Sequence, residues 1–276
     1  MKISIIGLGI VGNAIYQNLK DKSQFKKNIK IIGYDKYKNN INIESIFDSN
    51  IIFLALPTQY DILTKSYEYS SFFEVCDILE KNKYDGTILI KSTVEPGFTN
   101  SLAEKYKLDF IHNPEFLKAL SAYDDFNNQT HIVLGKGNTC SEKKLDKVHK
   151  FYKYFFPYSE ISICTATESE SVKLFCNNFY AIKIQYFNEI YALCDKINID
   201  YDKIVNMMVK NGNILESNTR VPGPDGLHSY GGFCFPKDTN ALLEFMRKNE
   251  TPHLVLEATI EERNKMRSDD ENIINK

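Results

Sequence analysis

Met1-Lys2-Ile3-Ser4-Ile5-Ile6-Gly7-Leu8-Gly9-Ile10-Val11-Gly12 is the stretch on which the fold turns. Its first six residues are the apolar, β-branched run of a strand buried on both faces. Three glycines in G-x-G-x-x-G spacing follow, and Ile10, Ala14, Ile15 and Leu19 then recur at helical intervals. Such a glycine pattern is weak alone, but between strand and helix it has a mechanism. The first glycine makes the tight turn, the second lets a pyrophosphate approach the backbone, and the third lets the helix pack on the strand. The helix N-terminus then offers N–H donors and a positive dipole end to phosphate. A second strand-like run, residues 29–34, ends at Asp35. That is roughly 20 residues past the loop, where a carboxylate accepts from an adenosine 2′-hydroxyl and repels a 2′-phosphate. NAD is therefore expected over NADP. The competing reading is a glycine turn of another α/β fold, with Asp35 as a loop cap.

Further strands are expected at βαβ intervals, over residues 50–55, 87–92, Asp109–His112 and 131–135. They run out into Pro57-Thr58, Ser92-Thr93 and Asn113-Pro114-Glu115. Ligands of open parallel sheets sit beyond the carboxyl ends of strands, so Thr58, Thr93 and Glu115 are expected to face one crevice. Each alone also reads as ordinary turn chemistry. The fold class implied is α/β, a Rossmann-like doubly wound parallel sheet, over residues 1–167. A helical domain built on a long central helix is expected over 168–276.

The period changes near Thr167. Over 170–196 the apolar residues Val172, Phe175, Phe179, Ile182, Tyr186, Ile190 and Leu193 follow helical spacing, and Glu168 and Glu170 suit the N-terminal end. Lys173 and Asn177, four apart, share a face; on residue types alone that face reads as a solvated stripe. A shorter helix, 202–209, leads through a Gly-, Pro- and Asn-rich loop, 211–228, to Tyr230 and Gly231-Gly232-Phe233-Cys234-Phe235-Pro236-Lys237-Asp238. Pro236 suits a first helical turn. Cys234 would then precede a helix N-terminus, where the dipole and Lys237 favour thiolate. The bland alternative is a structural cysteine beside a surface Lys–Asp pair. Amphipathic runs at 239–248 and Leu254–Met266 complete the pattern.

Composition narrows the function classes. With 276 residues, 43% of them hydrophobic, the chain can fill one large or two medium cores. A net charge of -2 without a basic stripe gives no footprint for nucleic acid. Six scattered cysteines, with no C-x-x-C pair, give no metal-ligand spacing and no disulfide framework. No basic leader precedes the first strand, and no apolar run reaches the ~20 residues of a membrane span. A cytoplasmic protein with a reduced Cys234 is expected.

Read together and in order, the motifs resemble the UDP-glucose/GDP-mannose dehydrogenase family over almost the whole chain. The pieces are the 7–12 loop, Ala55-Leu56-Pro57-Thr58, Lys91-Ser92-Thr93-Val94-Glu95-Pro96-Gly97 and Asn113-Pro114-Glu115-Phe116-Leu117. Beyond these come Glu170-x-x-Lys173-x-x-x-Asn177, Asn188-Glu189 and the Gly231 to Asp238 signature. The resemblance implies a four-electron oxidation of a nucleotide-sugar primary alcohol, UDP-glucose-like, to the uronate. In it Cys234 is the nucleophile, Lys173 and Asn177 stabilise oxyanions, and Asp238 with Thr93 holds a proton-relaying water. Glu115 is the general base for thioester hydrolysis. Gly7, Gly9, Ile10, Val11, Gly12, Asp35, Pro57, Thr58, Ser92, Thr93 and Lys237 are implied to hold NAD. Phe116, Leu117, Tyr230 and Gly231, with Glu115, Lys173 and Asn177, are implied to line the sugar site, and the long helix to pair in a homodimer.

Three departures stand out. Lys118-Ala119-Leu120 stands where the family usually has Arg-Glu-Gly, and Gln129-Thr130-His131 where it has Pro-Asp-Arg. The sequence also stops before the third, nucleotide-gripping domain usual in the family, so a compact two-domain form is expected. Two other readings stand beside it, the first motivated by these departures and the second by the shared sheet and helical domain. One is an NAD-binding module or subunit without turnover; the other is a two-electron dehydrogenase of the hydroxyacid type.

Overall fold

The structure, a computed structural model, describes residues 1–38 and 41–267; residues 268–276 of the expected second domain lie outside it. The chain divides by its contacts into two compact units, 1–58 with 69–173 and 59–68 with 174–276.

The first unit is built from β1 (Lys2–Ile6), α1 (Ile10–Ser23), β2 (Lys30–Tyr34) and β3 (Ile51–Leu54). After the excursion of β4 (Tyr60–Asp61) and β5 (Ser66–Tyr67) into the other unit come α2 (Ser70–Lys81), β6 (Thr87–Ile90), α3 (Phe98–Tyr106) and β7 (Asp109–His112). Then follow α4 (Ala122–Asn127), β8 (His131–Lys136), α5 (Glu142–Phe155) and β9 (Glu160–Thr165). The seven strands lie in the order β2-β1-β3-β6-β7-β8-β9. All neighbours are parallel except β7 and β8, which pair antiparallel at Ile111↔Lys136 and His112↔Gly135. The sheet is therefore Rossmann-like, with its two last strands reversed.

Alternation along the strands sorts side chains onto two faces. Ile3, Ile5, Ile51, Phe53, Leu89 and Ile111 pack with Ile15 and Leu19 of α1 and with Leu145, Val148 and Phe151 of α5. Ile6, Ile52, Leu54, Ile88, Ile90 and Phe110 pack with Phe72 and Leu79 of α2 and Leu102 and Ala103 of α3. Burial on both faces explains why these strands read as continuous apolar runs. Three short strands are not legible in the sequence. β9 is exposed along much of its length, and β4 and β5 have two residues each, too few for a period.

The long helix α6 runs Ala166–Lys196, and the division between units falls within it. Its start is a capping box: Glu168 Oε2 accepts from Thr165 N and Oγ1, both at 2.8 Å, and Thr165 Oγ1 accepts from Glu168 N at 3.3 Å. The second unit continues with α7 (Tyr201–Lys210), α8 (Phe235–Lys248) and α9 (Leu254–Met266). Leu174 of α6 packs there with Leu242, Leu243, Leu256 and Ile260, and a second cluster joins Phe187 and Cys194 to Tyr201 and Val205.

On α6 the sequence reading needs correcting. Val172, Phe175, Phe179, Tyr186 and Leu193 of the apolar stripe are exposed, while the other side, with Ser169, Glu170, Lys173, Asn177, Asn178, Gln185 and Asn188, is buried. The polar face is inward because partners await it, as with Asn188 Oδ1, which accepts from Ser229 N at 2.8 Å.

Candidate active site

In the first unit the five parallel strands β2, β1, β3, β6 and β7 bring their carboxyl ends to one edge of the sheet. The glycine loop lies at the end of β1. Gly7 has φ +87, and a Cβ there would meet Ala55 O at 2.4 Å. A Cβ on Gly12 would lie 1.8 Å from Gly7 O, so this glycine lets α1 close onto the turn. Gly9 differs: a Cβ there would meet nothing within 4 Å. It caps α1 without a side-chain hydrogen bond, and Ile10 beside it is exposed. The first-turn N–H groups of α1 thus adjoin an open approach, the arrangement a pyrophosphate needs.

Asp35 follows β2. Its Oδ2 accepts from Leu8 N at 2.7 Å and its Oδ1 from Tyr37 N at 3.0 Å, which ties the carboxylate to the glycine loop. Thr58 Oγ1 donates to Thr93 O at 2.9 Å, and Ser92 Oγ to Leu56 O at 2.6 Å. The ends of β3 and β6 are thereby joined. Pro57 between them is exposed, and Val11 is half-buried on α1. An open cradle at Gly9 and a fixed carboxylate at Asp35 fit a dinucleotide.

Beyond β7 the same edge carries a buried ion pair. Lys173 Nζ lies 3.2 Å from Glu115 Oε1, with both side chains at most a tenth exposed. Glu115 Oε2 accepts from Leu117 N at 2.6 Å, and Lys173 Nζ sits 5.3 Å from the Phe116 ring centre. Lys173 is therefore no member of a solvated stripe. Beneath the pair is a lysine for which the sequence reading proposed no role. Lys91, wholly buried, donates to Asn113 Oδ1 at 3.1 Å and Pro114 O at 3.0 Å, holding the turn that carries Glu115. Burial pushes its ammonium down to about 7, against the pull of Glu115 and with the help of the Lys173 charge. In the sequence it shows only as a lysine at the end of an apolar strand, heading the 91–97 motif. Glu170 does more than suit the N-terminal dipole of α6: its carboxylate accepts from Gly97 N at 2.6 Å and Thr99 N at 2.7 Å, capping α3.

The second unit holds the cysteine stretch. α8 starts at Phe235, four residues before the amphipathic pattern shows, with Cys234 as N-cap and Pro236 in the first turn. Cys234 is exposed, whereas Asp238, one turn on, is wholly buried, so the Lys–Asp pair is not a surface pair. Lys237 Nζ meets Asp238 Oδ1 at 2.5 Å and Asn177 Nδ2 donates to Oδ2 at 2.6 Å. Tyr230 is buried and its carbonyl accepts from Arg263 Nε at 3.1 Å. A Cβ on Gly231 would lie 2.2 Å from Arg267 Nη2, so the glycine is what lets that guanidinium reach His228 O at 3.2 Å. Two buried arginines thus hold the approach to Cys234, and neither was read from sequence, because a terminal Arg pattern looks like a solvated helix face.

Two family descriptions match the chain: the NAD binding domain of the UDP-glucose/GDP-mannose dehydrogenase family over residues 30–155, and its central domain over 167–265. The UDP-glucose 6-dehydrogenase of Streptococcus pneumoniae is 28% identical, the match taking in 98% of this chain and 74% of that protein. That of Campylobacter jejuni is 27% identical over 88% of this chain and 67% of its own length. Among solved structures, a UDP-glucose dehydrogenase of Pyrobaculum islandicum superposes with a TM-score of 0.80 at 21% identity, covering 96% of this chain and 68% of that one. This last likeness concerns the fold alone.

Proposed function

Since the chain belongs to the UDP-glucose/GDP-mannose dehydrogenase family, we propose that it oxidises the primary alcohol of a nucleotide-hexose to the uronate. Membership makes it an NAD-dependent oxidoreductase; the substrate and the route are our reading. The observation that carries the route is an exposed cysteine capping α8 one turn before a wholly buried, fully engaged aspartate.

Bound NAD would be held by the 7–12 loop, Asp35 and the 57–58 and 92–93 turns, and supplies the hydride acceptor for both oxidations. In the first, the C6 carbon gives up hydride while its hydroxyl proton passes to a water held by Asp238 and Thr93, leaving an aldehyde. The Cys234 thiolate then forms a C–S bond to the aldehyde carbon. Lys173 and Asn177 stabilise the oxyanion that results. An ammonium carries three donors and Glu115 occupies one, so the ion pair is compatible with that role. Loss of a second hydride leaves a thioester on Cys234. Glu115 takes a proton from water as its oxygen attacks the thioester carbon, the C–S bond breaks, and the thiolate and uronate separate. Alcohol, water and two hydride acceptors give carboxylate, two reduced cofactors and three protons.

The test is NADH release across UDP- and GDP-hexoses with product identification. About two NADH per uronate are expected from the two hydride steps, and Cys234→Ala is expected to abolish uronate release. Absence of NADH with every nucleotide-hexose, NAD still binding, would mark a module without turnover. A ketone product would mark a two-electron dehydrogenase.

The exposed stripe of α6 supports a second proposal, that another copy of this chain covers it. Phe175 and Phe179 are each more than half exposed within an apolar line, and large contiguous apolar surface of this kind marks an interaction site.

A further inference from the structure

The β4–β5 hairpin interrupts the first unit in sequence yet belongs by its contacts to the second, where α8 packs against it. Its register pairs Tyr60 with Tyr67 and Asp61 with Ser66. Tyr67 is buried, and its hydroxyl donates to Asp238 Oδ1 at 2.5 Å. The same oxygen takes Lys237 Nζ, which also lies 4.6 Å from the centre of the Tyr67 ring. Asn177 Nδ2 holds Oδ2, and the Asp238 main chain is held by Cys234 O on one side and Asn178 Nδ2 on the other.

A carboxylate without solvent contact depends on protein donors for the hydrogen bonds water would have supplied. Two of the three donors at Asp238 come from residues already implicated in the reaction, on α6 and α8. The third comes from a residue 171 positions away along the chain, on the β4–β5 hairpin. Lys237 is a flexible point charge, whereas the tyrosine ring is rigid and aims its hydroxyl along one direction. The ring therefore sets which way the carboxylate plane faces.

We infer that Tyr67 is a positioning residue of the proposed oxidation, fixing the Asp238 carboxylate in the orientation from which it holds the proton-relaying water. This rests on the function proposed above. The distinguishing property is coupling: Tyr67 acts through Asp238 and has no separate effect on the reacting atoms.

The experiment is a double-mutant cycle on the full chain with Tyr67→Phe, which keeps the ring beneath Lys237, and Asp238→Ala. Loss of a hydrogen bond to a charged group predicts about a tenfold fall in kcat for Tyr67→Phe with KM little changed. In the Asp238→Ala background the same change is expected to alter turnover by less than about twofold. Urea unfolding of the four proteins gives a readout that needs no activity: Tyr67→Phe should shift the midpoint more in the wild-type background than in Asp238→Ala. Should Asp238→Ala not fold, Asp238→Asn replaces it in the cycle. Additive effects on the midpoint, or an undiminished kcat for Tyr67→Phe, overturn the inference. If the wild type reduces NAD with no nucleotide-hexose, the functional reading falls instead, and the unfolding cycle alone decides whether Tyr67 holds Asp238.

Discussion

The glycines of the 7–12 loop divide between two roles, packing and ligand approach. Gly12 is required by the fold, since a Cβ there would collide with the Gly7 carbonyl; Gly9 has open space where its side chain would be. Gly12→Ala is accordingly expected to cost about 1–3 kcal/mol of stability, as overpacking does, or to prevent folding. Gly9→Val should unfold near the wild-type midpoint yet weaken NAD binding by about tenfold or more in calorimetry, because bulk now stands where a phosphate must approach. Equal loss of stability in both variants would refute this division. Both roles were legible from the motif, the second glycine for the ligand and the third for packing; the tertiary structure adds the atoms that enforce them, Gly7 O against Gly12 and Ala55 O against Gly7.

Among the elements, α6 shows how a periodic pattern can be right about a helix and silent about its orientation. Spacing identifies the apolar stripe and predicts a helix. Sequence periodicity assumes that the apolar side is the buried one; here most of the stripe is exposed, and the buried side mixes Leu174, Ala181 and Phe187 with polar residues. The polar side turns inward because Glu170, Lys173, Asn177 and Asn188 each meet a specific partner from a distant part of the chain. The apolar stripe is left exposed, as the proposed pairing with a second copy requires. Phe179→Glu, at an exposed site, should leave the unfolding midpoint within about 0.5 kcal/mol of wild type, as surface changes do. In sedimentation it should convert dimers to monomers. A wild-type chain that sediments as a monomer at all concentrations would end the homodimer proposal.

For the molecule as a whole, acid stability carries the signature of a buried histidine. His112 lies at the end of β7, with Nδ1 2.8 Å from Ser169 Oγ and Nε2 3.4 Å from Ser92 O. Burial, with the Lys91 and Lys173 charges adding to it, pushes the imidazole down from 6.5 to about 3. Between those values the unfolded chain binds a proton the folded chain refuses, so stability falls as pH drops from about 6.5 toward 3. The loss is on the order of a few kcal/mol. His112→Gln should flatten this part of a midpoint-against-pH curve; an unchanged slope would show that other groups dominate it. The doubly wound sheet, the dinucleotide loop with Asp35 and the cysteine before a helix were all readable from residue order. Strand alternation, turn glycines and caps act over a few neighbouring residues, so local sequence suffices to specify them. The burial of Asp238 and Lys173, the inward polar face of α6, Lys91 under Glu115 and Tyr67 on Asp238 were decided by tertiary structure. Each depends on groups that are distant along the chain meeting in a space without water, where an unpaired charge is too costly to persist.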